Sequence, residues 1–403
     1  MTVLLMKNER YGASIACLGV CFYIIGFCFR LQQDVPLIIL ALTGLISVSR
    51  DSVQWKQPVV IALGLFLLVG LVSMATSDDI TRSWRMSLMF IPSLLIFMLL
   101  AQYFDMRDLH NLYWVLTLVG LCFSIILLWI ALCNPQQEPI AWVRSLGSPI
   151  FIVPNDIIFI ALLMPFSIAL LLQRTSLMSA VAALLMLSIL LGLLTIVIFQ
   201  SRAALIAELV STIIIAAILK PRYALLLGCG IIISLLIVDG LMGFPLIAKH
   251  GRVADTRFAL WIAAWRMFLD TPFLGHGPHS FVLFYQSYLQ TIKLPSWLPI
   301  DQRLIPWPHN LYLELLAEQG MAGLTSLIGL LTTLFLVAWR TLKIESGNIY
   351  IYAVCILASL TSYCVSAVFE LTFLRQWVVV MLFLLSGIIS ILSTYENSQY
   401  EIN

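Results

Sequence analysis

Long apolar runs separated by short polar breaks fill most of this chain. The runs are continuous, without the period-two alternation of a half-buried strand, and most approach the ~20 residues that cross a hydrocarbon core. Inside such a core every backbone N–H and C=O must be paired within the protein, so only helices or a closed barrel can cross it. Continuous runs select helices. Spans are expected at about 12–29, 35–48, 58–76, 86–103, 112–133, 156–173, 177–199, 203–219, 223–240, 321–339, 349–367 and 377–394. The pattern therefore predicts an all-α membrane protein with about twelve transmembrane helices. Pro58, Pro92 and Pro165 fall within or at the ends of these runs, where neighbouring helices can satisfy the groups a proline frees.

Composition agrees. The 403 residues are 61% hydrophobic and 10% charged, with a mean hydropathy of +1.02. A soluble domain carries roughly 25% charged residues, so most of this exterior must face lipid. The net charge of +2, with no basic tract, gives no reason to expect a nucleic-acid partner. The eight cysteines lie in or beside apolar runs, as small hydrophobes do, and form no CxxC pair. The first run, Gly12 to Cys28, has no small-residue cleavage site after it and reads as the first span.

Charge distribution predicts orientation. With the N-terminus in the cytoplasm, Lys7, Arg10, Arg50, Lys56, Arg107, Arg174, Lys220, Arg222, Arg340 and Lys343 are cytoplasmic, ten in all. Six, Arg30, Arg82, Arg85, Arg144, Arg202 and Arg375, fall on the short outer loops. The bias places both termini in the cytoplasm and the long segment 241–308 outside. The chain accordingly divides into 1–240 with nine spans, the loop 241–308, and 309–403 with three more. Within the loop, Phe258, Trp261, Ile262, Trp265 and Phe268 recur at helical spacing, with Arg257 and Arg266 placed to leave that stripe. This predicts an amphipathic interfacial helix with Arg257 at its start. Ser280 to Ile292 suggests a second helix, and Pro295, Pro299, Pro306 and Pro308 break the approach to the next span.

The candidates for chemistry cluster on the expected outer side. His309 opens the helix Asn310–Gln319, and imidazole is the side chain best suited to move a proton near neutral pH. A capping or interfacial histidine fits the same position. Arg202 sits in a polar notch, Gln200-Ser201-Arg202, beside two alanines that permit close approach. Its forked guanidinium suits a phosphate or diphosphate, although a snorkelling arginine also fits there. Arg257 could meet a second phosphate oxygen, but for it and for Arg266 the position alone favours the solvated face of an amphipathic helix. Glu208, within the eighth span, is expected to be paired or protonated. Glu314 and Glu318 can hydrogen-bond neighbouring helices. Gly275-His276-Gly277-Pro278-His279 reads as a tight turn, and neither its histidines nor Asp78-Asp79 have the ligand clustering of a metal site.

Three segments together resemble the O-antigen ligase and polymerase family. They are Gln200-Ser201-Arg202-Ala203-Ala204-Leu205, then Arg257 through Trp261 and Trp265 to Pro272-Phe273-Leu274-Gly275-His276-Gly277, and His309-Asn310 followed after nine residues by Gly320 and then Gly323. Pro154-Asn155-Asp156 is also similar to family members. The resemblance covers roughly 195–330 and implies a GT-C type membrane glycosyltransferase working at the outer face of a bacterial inner membrane. The implied donor is a glycan on undecaprenyl diphosphate. The implied acceptor is a sugar hydroxyl of lipid A-core for a ligase, or a second lipid-linked repeat for a polymerase. Direct attack by the acceptor would invert the anomeric carbon, and by the same resemblance no metal or other cofactor is expected. His309 is its expected base and Arg202 and Arg257 its diphosphate ligands, with Arg266, Gly275, Gly277, His279, Asn310 and Glu208 in support. The closeness of the histidine signature favours the ligase. The competing class, a lipid-linked glycan transporter, would also carry many helices, but it commonly shows two related halves, which this chain lacks.

Overall fold

A computed structural model describes residues 14–26, 34–50, 56–133, 154–174, 178–220, 250–292, 304–344 and 347–400, with isolated positions between them. Every regular element among the described residues is helical. In chain order they are α1 (Ser14–Gly26), α2 (Asp34–Arg50), α3 (Pro58–Ala75), α4 (Ile80–Ser87), α5 (Phe90–Tyr103), α6 (Met106–Cys133), a 3-10 turn (Pro154–Ile157), α7 (Ile158–Leu172), α8 (Ala180–Ile198) and α9 (Arg202–Leu219). After them come α10 (His250–Asp270), α11 (Phe281–Thr291), α12 (Leu311–Ile344), α13 (Asn348–Phe369) and α14 (Gln376–Tyr400).

Among the described residues, eight helical stretches are long and apolar enough to cross a membrane, with α4 and α5 counted as one stretch. Of the other expected spans, three appear as the shorter helices α1, α2 and α7. The ninth, 223–240, lies outside the described residues. The chain is thus a multi-pass helical membrane protein.

Local chemistry sets the helix ends. Pro58 opens α3, where its missing N–H costs nothing. Asp79 caps α4 by accepting from the Arg82 amide at 2.9 Å, and Ser179 caps α8 through the Ala182 amide at 3.1 Å. Asn310 caps α12, its Oδ1 accepting from Tyr312 and Leu313 at 3.0 Å each. The capping role open to His309 therefore belongs to its neighbour.

The bundle centres on α13 and α14. α13 packs against α7, α9 and α12, while α14 packs mainly on α5. Serine hydroxyls stitch the helices across their faces: Ser362 donates to the Ala207 carbonyl at 2.7 Å and Ser359 to the Leu162 carbonyl at 2.9 Å. At one end of the bundle, Gln57 donates to Thr394 at 2.7 Å and His110 meets Tyr352 at 2.6 Å. The 3-10 turn, the start of α9, the α10–α12 segment and the α13–α14 loop share the other end.

α10 departs from the expected pattern in two ways. It begins at His250, so Arg257 lies two turns inside it rather than at its start. Its buried face is not the aromatic stripe but Ala259, Leu260, Ala263, Ala264 and Met267, which pack with Phe281, Tyr285 and Ala317. Small side chains let α10 lie close against α12. Phe258 and Trp265 remain about half exposed, and among the stripe's aromatics Phe268 is buried.

Candidate active site

The 272–281 loop is clamped into a break in α12. Gly320 adopts φ 62°, opening the helix so that Met321 and Ala322 donate to the carbonyls of Pro272 and Phe273 at 2.8 and 3.1 Å. On the other strand of the clamp, the His276 and Gly277 amides reach the carbonyls of Ala317 and Glu318 at 3.2 and 2.8 Å. Glu318 completes it, accepting from the amides of His279 at 2.7 Å and Phe281 at 3.1 Å. A Cβ on Gly275 or Gly320 would overlap backbone atoms of Glu318 or Phe273, and one on Gly277 would overlap Ser77. All three glycines have positive φ. The glycine spacing in the sequence is thus the signature of a mechanical joint. His276 ties the joint to the α3–α4 turn through Asp78 at 2.8 Å. His279 is buried, and burial, followed by the Arg82 guanidinium, pushes its imidazole down from the usual 6.5 to about 4.

The joint and the Asn310 cap fix His309 at the head of α12, and the backbone there is strained, with φ 56°. His309 Nδ1 lies 3.0 Å from Glu370 Oε2. The other carboxylate oxygen of Glu370 is paired with Arg257, which also donates to the Phe369 carbonyl at 3.3 Å. Trp307 Nε1 is 3.2 Å from the same His309 nitrogen, and one nitrogen cannot serve both neighbours at once. A Glu370 carboxylate can only accept, so the tautomer that suits this pair carries its proton on Nδ1. Nε2 is then left with its lone pair, the form a proton acceptor needs.

A second ion pair backs the first. Arg375 binds Asp156, which also accepts from Trp377 Nε1 at 2.8 Å, and the Arg375 guanidinium lies 4.9 Å from the centre of the Trp307 ring. Trp261 Nε1 donates to the Pro308 carbonyl at 2.9 Å and so holds α10 to the His309 approach. Arg257 and His309 therefore meet through Glu370, and the Pro154-Asn155-Asp156 segment joins through Arg375. Sequence reasoning missed Glu370, Arg375 and Trp307. The available signal was Glu370 itself, a carboxylate closing a long apolar helix on the same side as His309.

The remaining candidates divide. Arg202 begins α9 two residues after Gln200, another residue at positive φ (52°). At 1.5 Å per residue, Arg202 stands about 7 Å above the Ser362–Ala207 bond and Glu370 about 12 Å above it, at the same end of the bundle. Arg266 lies apart, on the outer face of α10 beside Trp265 and Leu269. Glu208 is buried within α9, its Oε1 accepting from Thr212 at 3.2 Å. Gly275, Gly277 and His279 belong to the joint, and Asn310 is a cap. Glu314, like Glu318, accepts from a backbone amide, that of Phe373 at 2.9 Å.

Residues 159–328 match the family model described as O-antigen ligase. That stretch contains the Ser201-Arg202 notch, Arg257, the glycine joint and His309. The chain carries an O-antigen ligase family domain. Members of this family are glycosyltransferases, either ligases or polymerases, that act on lipid-linked glycans. No curated protein matches the chain closely enough to be paired with it. Glu370, Arg375 and Asp156 lie outside the matched O-antigen ligase region; Glu370 is the charged partner of Arg257 and His309 within it, and Arg375, paired with Asp156, lies over Trp307.

Proposed function

We propose that this protein is an O-antigen ligase, transferring a glycan from undecaprenyl diphosphate to a sugar hydroxyl of lipid A-core at the periplasmic face of the inner membrane. The observation that carries the reading is the hydrogen-bonded chain Arg257–Glu370–His309. A sugar hydroxyl is a weak acid and needs a base to become a nucleophile, whereas a diphosphate leaves readily once its charge is met.

His309 Nε2 takes the acceptor's O–H proton as the oxygen bonds to the anomeric carbon. The bond from that carbon to the diphosphate oxygen breaks on the opposite face, its electron pair stays on the diphosphate, and the configuration inverts. Glu370 holds the imidazole in the useful tautomer and offsets the positive charge it gains. The leaving diphosphate meets Arg202, at the first turn of α9 where the helix dipole also favours an anion, and the guanidinium edge of Arg257 not used by Glu370. Arg375 keeps Trp307 in place beside the base.

Reconstituted protein given an undecaprenyl-diphosphate glycan with either lipid A-core or a second lipid-linked repeat tests the assignment. Consumption of lipid A-core supports the ligase. Consumption of the second repeat instead would make the enzyme a polymerase, and glycan crossing the bilayer without a new covalent bond would make it a transporter.

A further inference from the structure

The chemistry above leaves one large feature unused, a cavity of about 230 Å³ between α3, the α4–α5 stretch and α12. Its walls are apolar. Leu71, Trp84, Leu88 and Ile91 line it and are also about half exposed on the outside of the bundle, so it opens sideways where bilayer hydrocarbon would lie. On α3 the lining runs from Met74, near the α3–α4 turn, to Phe66, eight residues away. That is about 12 Å of helix, close to the hydrocarbon depth of one leaflet. The cavity is therefore a slot of one leaflet's depth, at the end of the bundle that holds His309.

Two buried polar side chains stand in its wall. His279 is 2% exposed and neither ring nitrogen has a hydrogen-bond partner among the described residues. Gln319 is 7% exposed and its Oε1 has none either. Unpartnered buried polar groups are uncommon and destabilising. The neutral imidazole offers one donor and one acceptor, and Gln319 Oε1 is an acceptor. Facing that oxygen on α3 is Gly70, whose Cβ, if present, would sit 3.8 Å from it, so no side chain from α3 fills the gap. His279 holds this position at a positive φ of 62°.

The polar demand narrows the occupant. An isoprenyl phosphoester or a glycerol ester presents only acceptors near the top of its chain. An amide-linked or hydroxylated acyl chain presents a donor and an acceptor together. We propose that the slot binds one acyl chain of a membrane lipid, with His279 and Gln319 hydrogen-bonding an amide or hydroxyl near the chain's junction with its headgroup. Phe373, in the loop that carries Glu370 and Arg375, also lines the slot, so an occupant rests against that loop. The binding claim stands apart from glycan transfer and needs no turnover to be tested.

The test uses full-length protein in nanodiscs of phosphatidylethanolamine and phosphatidylglycerol, with three diazirine-bearing probes: an N-acyl glucosamine lipid, an ester-linked phosphatidylcholine and undecaprenyl phosphate. After irradiation, labelled peptides are mapped by mass spectrometry. The N-acyl probe is expected to label 66–94 in preference to the exposed face of α8 around Leu190. Gly70→Leu, which fills the slot, should lower that labelling about tenfold. His279→Leu should erase the preference for the N-acyl over the ester probe. Leu67→Trp, from the same wall, repeats the filling test if Gly70→Leu does not fold, as judged by thermal melting. Equal labelling at α8, or labelling unchanged in a folded filling variant, would overturn the slot. Preference for the ester or undecaprenyl probe would overturn the amide or hydroxyl assignment. Transfer activity, measured separately, can fail without touching either result.

Discussion

Glu370→Gln isolates the central contact, because it keeps the volume of the side chain and removes its charge. In the native arrangement one carboxylate oxygen receives the His309 Nδ1 proton at 3.0 Å and the other holds Arg257. Glutamine offers an oxygen and an NH₂ group. If the NH₂ faces His309, Nδ1 becomes an acceptor, the proton moves to Nε2, and the base is lost. If the oxygen faces His309, the tautomer survives but the imidazolium formed in the transition state loses its counter-charge. Either way turnover falls, by the ~10²–10⁴-fold typical of losing a positioned base. The fold should suffer less. Glu370 is buried and the Arg257 side chain is 27% exposed, so breaking the pair while keeping one hydrogen bond costs about 1–3 kcal/mol. Arg257, released from its carboxylate, remains available to the diphosphate, so donor binding should hold. The assay is single-turnover transfer beside donor binding, for wild type, Glu370→Gln and Glu370→Asp. Aspartate keeps the charge on a shorter arm and should recover part of the rate. Turnover of Glu370→Gln within about twofold of wild type would refute the dyad. A parallel loss of turnover and donor binding would assign Glu370 to the binding surface instead.

Four further expectations follow from the geometry. His309→Asn, whose side chain tolerates positive φ, should fold and bind donor while losing ~10²–10⁴-fold in transfer, and near-normal transfer would place the base elsewhere. Arg202→Lys and Arg257→Lys keep charge but lose the guanidinium fork, so both should slow transfer at matched expression; wild-type rates for both would remove them from the site. Gly320→Ala should cost more than the ~1–3 kcal/mol of its backbone strain because its Cβ overlaps Phe273, whereas Gly329→Ala, with nothing within 4 Å, should melt like wild type; equal melting temperatures would contradict the joint. His279 titrates at about 4 in the folded protein against 6.5 when free, so the unfolded chain binds the extra proton between those values. Stability should be full above about pH 6.5 and fall by about 3 kcal/mol as pH drops toward 4, and the drop should vanish in His279→Gln; an identical pH profile in that variant would disprove it.

The Lys and Arg bias predicts that the end of the bundle holding His309 lies outside the cytoplasm. A cysteine at Ser287, exposed on α11, should react with an impermeant maleimide in intact spheroplasts. Reaction only after permeabilisation would invert the topology and remove the periplasmic mechanism.

The sequence by itself determined the class of structure and pointed to three candidate site residues. Hydropathy requires membrane helices because no other element satisfies its backbone in lipid, and the polar notches at Arg202, Arg257 and His309 were visible as interruptions of that pattern. The glycines were visible too, but not their partners: Gly275 and Gly277 meet Glu318 and Ser77, and Gly320 meets Phe273, contacts that span 43 to 200 residues of chain. The tertiary structure alone decided which apolar helices are central. α3 and α14 read alike as apolar runs, yet α14 is almost wholly buried and α3 mostly faces outward, because lipid and protein interior are equally apolar surroundings. For the same reason the buried face of α10 was not its aromatic stripe but its alanines, which only the neighbouring α12 could select. Glu370 and Arg375 read as ordinary helix-end charges until packing put one against His309 and the other over Trp307. A charge's role depends on what packing brings to it, and that information lies in other parts of the chain.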